Sequence, residues 1–591
     1  MLKSEIYVTT GKRNVVYGVA AALFALLITK FFILQIYRYD KFFELSEYNR
    51  VRPITTYAPR GKVLDKYGNI LVANRSVYTI SIIRDEIVDK DRELKIVASY
   101  LEMNSAEVIE NLNKYYRGRF LPARIARDVP IERLSLVEEH KNQLPGVIYS
   151  EFPVRYYPKL ERVRASHLLG YLREIARSEL DGPDYLPGDF IGAQGIEKEF
   201  ESVLRGKKGT YFQQVDAYGR QVGTVKERPP IPAVPGEDIH LTVDGNLQGN
   251  IEYIMEGKIG SAIVLDAVKG QVLAMVSKPD YQLEDFAGFM EPEVWRKYTG
   301  DGNKPLFNRA VQGIYPPGSA MKLITTITAL EEGLVNPGWT VSCSGTYHYG
   351  DRFYGCWKEE GHGVVNLSRA IVESCNIYFY QLVQRIKLDS WHRYAMMFGF
   401  GQKTGVEVTE EYGGTVPNTV FMDGKYGKRG WTKGHLLNIA IGQGDILVTP
   451  LQMAHFAALL AARGEIPKLT LIQAESESKI REIRDRLFLK QSTWSRIRRL
   501  MFDVVNSPDG TAYSPGFVAS DVNFFGKTGS AQNPLGDLHA WFIGFAEKGD
   551  QKIALVVLVE HGGKGGTAAA PLAARIVREY FQDKKDQLTF R

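Results

Sequence analysis

A serine three residues ahead of a lysine can arm a hydroxyl for nucleophilic attack. Ser319 and Lys322 stand in that relation within Tyr315-Pro316-Pro317-Gly318-Ser319-Ala320-Met321-Lys322. The prolines and the glycine fix an approach path, and the apolar run Leu323 to Leu330 reads as a buried helix. Ser319 therefore falls at a helix N-terminus, where unpaired backbone N–H groups and the positive dipole end face outward. Lys322, three residues on, shares the serine's face of the helix. An amine with a lowered pKa, held within hydrogen-bond reach, can take the hydroxyl proton. By itself the spacing is a frequent coincidence in 591 residues.

Two further groupings fit the same chemistry. Ser374-Cys375-Asn376 lies between the helical patterns Leu367 to Glu373 and Tyr378 to Ile386. There a hydroxyl can relay a proton to a leaving amine and an amide can hold a substrate carbonyl. Lys527-Thr528-Gly529 is expected to end a strand. Its cation can neutralise a substrate carboxylate, its hydroxyl can bind it, and its glycine lets the substrate backbone lie close. The N–H groups of Ser319 and Ser530 can together form an oxyanion hole. Burial and the like charge of Lys527 are both expected to lower the pKa of Lys322.

The chain has three cysteines, Cys343, Cys356 and Cys375, and with His362 they read Cys-x12-Cys-x5-His-x12-Cys. Four such ligands suit tetrahedral Zn²⁺, with Asp351 an alternative to Cys343. The competing reading is one disulfide with a spare thiol. A metal uses all three cysteines, and it would brace the loop bearing Ser374 and Asn376.

These residues need a scaffold. Ile239 to Asp244 reads as a strand, and Ser261 to Asp266 with Gln271 to Ser277 as a hairpin turning at Lys269-Gly270. Helices are expected to dominate from the catalytic stretch to about Ala462, followed by strands Val522 to Lys527, Ala540 to Phe545 and Ile553 to Val559, and a last helix from about Pro571 to Phe581. This is an α+β pattern: one antiparallel sheet packed by N- and C-terminal helices, with a helical lobe inserted.

Pro229-Pro230-Ile231-Pro232-Ala233-Val234-Pro235-Gly236 can continue neither a helix nor a central strand and marks a domain boundary. Ahead of it, residues 50–232 mix short strands, polar helices (Arg92 to Leu101, Ser105 to Tyr115) and Gly/Pro turns. They contain no nucleophile–base pair and no metal-ligand spacing, so a non-catalytic pedestal is expected there, with His167 a packed or hydrogen-bonded histidine. The scheme is a tail 1–14, an anchor 15–36, a pedestal 50–232, a catalytic domain 237–582 and a polar tail 583–591.

The anchor is Val15 to Ile36, which as a helix spans about 33 Å, enough for a bilayer core. Lys30 interrupts it and is expected to snorkel, and Tyr37, Tyr39, Phe42 and Phe43 follow as an interfacial belt. No small-residue cleavage site follows, so the segment reads as an uncleaved anchor. Basic residues on both sides (Lys3, Lys12, Arg13; Arg38, Lys41, Arg50, Arg52) leave its orientation open. A net charge of +6 is small for this length and argues against a dedicated nucleic-acid binder.

The Ser-x-x-Lys, Ser-x-Asn and Lys-Thr-Gly set, in that order, resembles the penicillin-binding proteins and serine β-lactamases. Class B penicillin-binding proteins are also resembled by Arg60-Gly61, Arg155-Tyr156-Tyr157-Pro158, Gly195-Ile196-Glu197 and Asp216-Ala217-Tyr218-Gly219-Arg220. Ile441-Gly442-Gln443-Gly444, Thr449-Pro450-Leu451-Gln452 and Lys527 to Gln532 extend the likeness. Tyr281-Gln282-Leu283 departs from that family's usual aromatic-Asp-Pro-Asn continuation.

The resemblance implies a penicillin-binding/β-lactamase-like transpeptidase domain on the outer, periplasmic side of the inner membrane. It implies catalysis by Ser319, Lys322, Ser374, Asn376, Lys527, Thr528, Gly529 and Ser530 without a cofactor, acting on the D-Ala-D-Ala end of peptidoglycan stem peptides. β-Lactams would acylate Ser319. A membrane glycan polymerase of the SEDS (RodA) type is the implied partner, met through anchor and pedestal. The cluster Cys343, Cys356, His362 and Cys375 resembles a metal site of some elongation-type members, the penicillin-binding proteins 2. It is the discriminator from cell-division paralogues. A D,D-carboxypeptidase or β-lactamase does not usually carry so long an anchored spacer, and a β-lactam sensor would normally have more membrane helices or a cytoplasmic output domain.

Overall fold

The computed structural model describes residues 10–42, 50–116, 118, 121–158, 163–180, 185–215, 221–225, 228–288, 290, 292–336, 338–473, 484–518, 520–534 and 536–589. Phe43, Lys3 and the stretch Asp216 to Arg220 lie outside them. Two compact units emerge: Met1–Pro59 with Ser76–Pro153 and Gly206–Pro235, and Arg60–Arg75 with Val154–Arg205 and Gly236–Arg591.

In the first unit, helix α1 (Thr10–Phe32) is continued by a π turn, Ile33–Tyr37. The stretch Thr10–Tyr37 is long and apolar enough to cross a membrane, and none of it is buried. Strand β1 (Val51–Thr56), the Ser76–Ile82 part of β2 (Ile70–Ile82), β3 (Ala123–Val129) and the Val147–Pro153 part of β4 (Val147–Tyr156) follow, with β5 (Gly209–Val215) and β6 (Gln221–Thr224). Helices α2 (Lys90–Leu101), α3 (Ser105–Lys114) and α4 (Ile131–Glu139) bury Leu94, Val97, Val108, Leu112, Leu134 and Val137 with Ile80, Ile82 and Ile125 of β2 and β3. The Asp89 and Asn104 side chains cap α2 and α3, accepting from the N–H groups of Arg92 and Ala106.

The second unit is built on five antiparallel strands. They are β7 (Gly260–Asp266), β8 (Val272–Lys278), β9 (Asn523–Asn533), β10 (Gly536–Lys548) and β11 (Gln551–Val559), in the order β8-β7-β11-β10-β9. Strand β11 is buried at every position from Ile553 to Val559, so helices must cover both faces of the sheet. Gly245–Ile254, Pro450–Ala461, Gln491–Asn506 and the C-terminal helix Gly565–Thr589 pack on it. The central strands and their hairpin stand where the continuous apolar runs place them.

Three expectations are corrected. Ile239 to Asp244 is not one strand. Only Ile239–His240 pairs as a ladder, and Asp244 turns to cap the following helix by accepting from Leu247 N–H at 3.1 Å. The last helix begins six residues before Pro571, at Gly565, and its backbone runs on to Thr589, because an opening Gly-Gly hides it from propensity. The region expected to be dominated by helices also contains β-ladders, Thr340–Cys343 against Gly363–Asn366 and the hairpin Thr346–Tyr349 with Arg352–Gly355. Strands of four residues are too short to show a period.

The scattered signals Arg60, Arg155 and Glu197 converge within the second unit. Arg155 Nε donates to Glu197 Oε1 at 2.6 Å, with both side chains fully buried. Arg60 Nη2 lies 2.9 Å from Glu197 Oε2 and 2.7 Å from Glu201 Oε2, and Asn74 Oδ1 accepts from Arg155 Nη1 at 3.1 Å. His167 is packed, its Nε2 2.8 Å from Pro305 O and its ring against Tyr281, and burial pushes the imidazole down to about 4. Tyr281 itself is buried, its hydroxyl donating to Ser166 O at 2.9 Å.

Candidate active site

Tyr315 is pinned on both sides: its N–H and C=O pair with Val448, and its hydroxyl donates to Glu560 at 2.6 Å. Trp541 Nε1 then donates to Pro316 O at 3.0 Å. The chain enters a 3₁₀ turn, Gly318–Met321, that runs directly into the helix Lys322–Glu331, so Ser319 stands in the first turn. Gly318 has φ +60, and a Cβ there would sit 3.0–3.1 Å from the backbone of Ser530. A Cβ on Gly442 would meet Gly318 O at 2.1 Å. Only glycines let the serine turn press against β9.

Lys322 is fully buried, and its Nζ donates to Ser374 O and Asn376 Oδ1, each at 2.7 Å, and reaches Ser374 Oγ at 3.2 Å. Among the described residues no hydrogen bond joins Lys322 to Ser319. A neutral amine has two N–H groups, and the two short bonds use both, leaving its lone pair for an incoming proton. Lys527, also fully buried, donates to Ser374 Oγ at 3.1 Å and to Thr528 O at 3.0 Å. The Ser374 hydroxyl thus lies between the two lysines.

Burial lowers Lys322 to about 8, against a pull upward from the three nearby thiols. The expected repulsion falls instead on Lys527, which burial first and then the Lys322 charge push well below its ordinary value. Taking two ammonium groups out of water side by side is costly, so the pair resists holding both protons.

Lys527-Thr528-Gly529 does not end its strand. It lies in the middle of β9, which among the described residues pairs with β10 alone and continues through Ser530↔Ala540 to Asn533. The sequence Gly-Ser-Ala-Gln carries weak strand propensity, and cross-strand pairing overrides it. Thr528 Oγ1 is 2.7 Å from Thr511 Oγ1, a contact that no sequence spacing signals. Ser530 Oγ accepts from Gly565 N–H at 3.0 Å, and Ser530 O accepts from Gln443 Nε2 at 3.4 Å.

Ser374 links helix Leu367–Val372 to helix Asn376–Val383 at φ +57, a region unusual for a residue with a Cβ. Below it the two short ladders gather the cysteines. Cys343 ends one strand opposite Gly363, and Cys356 follows the hairpin. All three thiols are free and buried, and with a His362 nitrogen the donor atoms lie within 4.8 Å of one another. Asp351, the alternative ligand, sits in the exposed hairpin turn outside this cluster.

His362 Nδ1 is 3.4 Å from Cys343 Sγ and 3.5 Å from Cys356 Sγ. Those distances match the edge of about 3.6 Å that zinc–nitrogen and zinc–sulfur bond lengths give a tetrahedral site. Asn376 N–H also donates to Cys356 Sγ at 3.3 Å. A bond shared with Cys375 holds the Cys356 thiol below its ordinary value and pushes Cys375 up. The donor set fits a thiolate-binding ion.

Comparison with known proteins places this geometry in context. Residues 260–578 match the penicillin binding protein transpeptidase domain, and residues 55–241 the penicillin-binding protein dimerisation domain. The "Peptidoglycan D,D-transpeptidase MrdA" of Salmonella typhimurium is 30% identical over 97% of this chain and 96% of its own length. The Helicobacter pylori structure of PBP2 in complex with MreC aligns with TM-score 0.79 at 27% identity, over 90% of this chain and 100% of that one. A chain from a peptidoglycan synthase complex, solved in a study of how polymerization and crosslinking are coordinated, aligns with TM-score 0.70 at 28% identity. It covers 97% of this chain and 98% of that one.

Proposed function

The chain belongs to the penicillin-binding protein transpeptidase family, and from that premise we propose how its residues carry the reaction. It is a serine-type peptidoglycan D,D-transpeptidase of cell elongation, and it binds β-lactams covalently. The observation that carries the assignment of roles is the Ser374 hydroxyl set between Lys322 and Lys527, at 3.2 and 3.1 Å.

Ser319 Oγ attacks the carbonyl carbon of the penultimate D-alanine while Lys322 takes its proton. The N–H groups of Ser319 and Ser530 stabilise the oxyanion, and Asn376 holds a substrate amide. When the C–N bond breaks, the proton passes from Lys322 through Ser374 to the departing D-alanine amine, and an ester on Ser319 remains. The amine of a second stem attacks that ester, gives up its proton along the same relay, and Ser319 is restored. Lys527, Thr528 and Ser530 hold the terminal carboxylate, and Gly529 lets the peptide lie against β9.

Cys343, Cys356, His362 and Cys375 would hold Zn²⁺. The ion would supply structural bracing to the loop of Ser374 and Asn376 and no part of the acyl transfer. Residues 50–232 would serve as the pedestal and 237–582 as the transpeptidase domain. The single N-terminal helix would anchor the chain with both domains on the periplasmic side. A SEDS-type (RodA-like) glycan polymerase would meet anchor and pedestal; the relative solved within a peptidoglycan synthase complex supports this reading.

The decisive experiment is labelling by a fluorescent penicillin, expected with the wild type and lost in Ser319→Ala. Labelling that persists in the variant would sink the assignment.

A further inference from the structure

Trp357 and Lys564 face each other outside the residues given a catalytic role, each fastened to a different catalytic element. Trp357 follows Cys356, and its Nε1 donates to Glu373 O at 3.0 Å, immediately before Ser374. Lys564 precedes Gly565, whose N–H donates to Ser530 Oγ at 3.0 Å. A Cβ on Gly565 would lie 2.3 Å from Gly529 O and 2.4 Å from Trp541 O, so the loop carrying Lys564 lies directly on β9. From there the Lys564 ammonium reaches to 5.6 Å from the centre of the Trp357 ring. The two side chains thus join the Ser374 element to the Lys527-Thr528-Gly529 strand.

Both are exposed, and among the described residues Lys564 has no ion-pair partner. The acidic side chain beside Ser374, Glu373, is already taken by Arg369, which donates to its two oxygens at 2.7 and 3.2 Å. The charge of Lys564 is therefore offset only by an aromatic face, which a carboxylate readily displaces or complements. Among the described residues β9 is the edge of its sheet, where an extended peptide can add, and the loop carrying Lys564 lies on that same strand.

We propose that Trp357 and Lys564 form a specificity subsite for a carboxylate of the bound peptide, distinct from the terminal carboxylate assigned to Lys527. The proposal rests on the transpeptidase reading. The carboxylate belongs to the acyl donor or to the amine acceptor, and the test separates the two.

The full chain is assayed with a D-alanyl thioester donor whose preceding acidic residue is either free or amidated, and with D-alanine or D-alaninamide as acceptor. If the donor supplies the carboxylate, Lys564→Met lowers kcat/KM about five- to tenfold for the free donor and leaves the amidated donor unchanged. If the acceptor supplies it, the same loss appears for D-alanine but not D-alaninamide. Lys564→Arg keeps the preference in either case. Equal loss on all substrates, or no loss on any, overturns the subsite. Labelling of Ser319 by fluorescent penicillin is run alongside: if the wild type is not labelled, the transpeptidase reading itself fails and takes the subsite with it.

Discussion

The pKa of Lys322 governs how the rate of acylation depends on pH. Its displacement from 10.5 to about 8 comes from burial. At 1.36 kcal/mol per unit, that is about 3 kcal/mol of preference for the neutral amine. The neutral fraction is then about a tenth at pH 7 and about nine-tenths at pH 9. The second-order rate of acylation by a penicillin should accordingly rise nearly tenfold from pH 7 to 9 and level off above. An unshifted lysine would give a hundredfold rise over that interval with no plateau. Stopped-flow measurement with a fluorescent penicillin distinguishes the two. A rate independent of pH from 7 to 9, or one still climbing log-linearly at pH 10, refutes the reasoning. The linkage to stability has a definite sign. Between pH 8 and 10.5 the unfolded chain binds more protons than the folded one at this position. Its contribution to stability therefore improves as pH rises through that window.

Three other outcomes follow from the packing. Purified protein should carry about one zinc per chain, and removing it with a chelator should lower both the thermal midpoint and the acylation rate; metal analysis showing far less than one ion would reject the site. Arg155→Met leaves the buried Glu197 with Arg60 alone and should cost about 3 kcal/mol in denaturant unfolding, whereas the double variant Arg155→Met/Glu197→Leu should recover part of that loss. Gly318→Ala forces a Cβ to 3.0–3.1 Å from the Ser530 backbone at φ +60 and should slow acylation at least about tenfold while the protein stays folded; an unchanged rate would show that the serine turn need not press on β9.

The candidate catalytic groups that the fold brings together were legible because each motif keeps its chemistry within three or four residues, and the flanking helical and apolar strand patterns carried their context. Local spacing could not show that Lys527 sits mid-strand, since Gly529 to Gln532 look like a turn until β10 pairs with them. Arg60, Arg155 and Glu197 read as scattered turn signals because a buried ion cluster has no sequence period. The cysteine cluster was visible as a ligand count. The ladders that close it were not, each being four residues long. The contact of Thr511 with Thr528 arises only when a loop meets strand β9, and the Trp357–Lys564 contact only when segments far apart in sequence meet.

The left-handed backbone of Ser374 explains why the loop requires bracing at all. Holding a side-chain-bearing residue at φ +57 costs about 1 kcal/mol or more, and glycine would remove that cost. Glycine would also remove the hydroxyl that both lysines contact, so the strain must be held by neighbouring contacts. Cys375 N–H donates to Ala370 O at 2.9 Å, and Asn376 N–H donates to Cys356 Sγ at 3.3 Å, fixing the two peptides that follow the serine. Lys322 holds the Ser374 carbonyl from the other side at 2.7 Å. The buried lysine, the proposed base, is therefore also a clamp on the proposed proton relay. A proton lost from Lys322 leaves two N–H groups, enough to keep Ser374 O and Asn376 Oδ1 bonded. The loop can stay in place while the base changes charge.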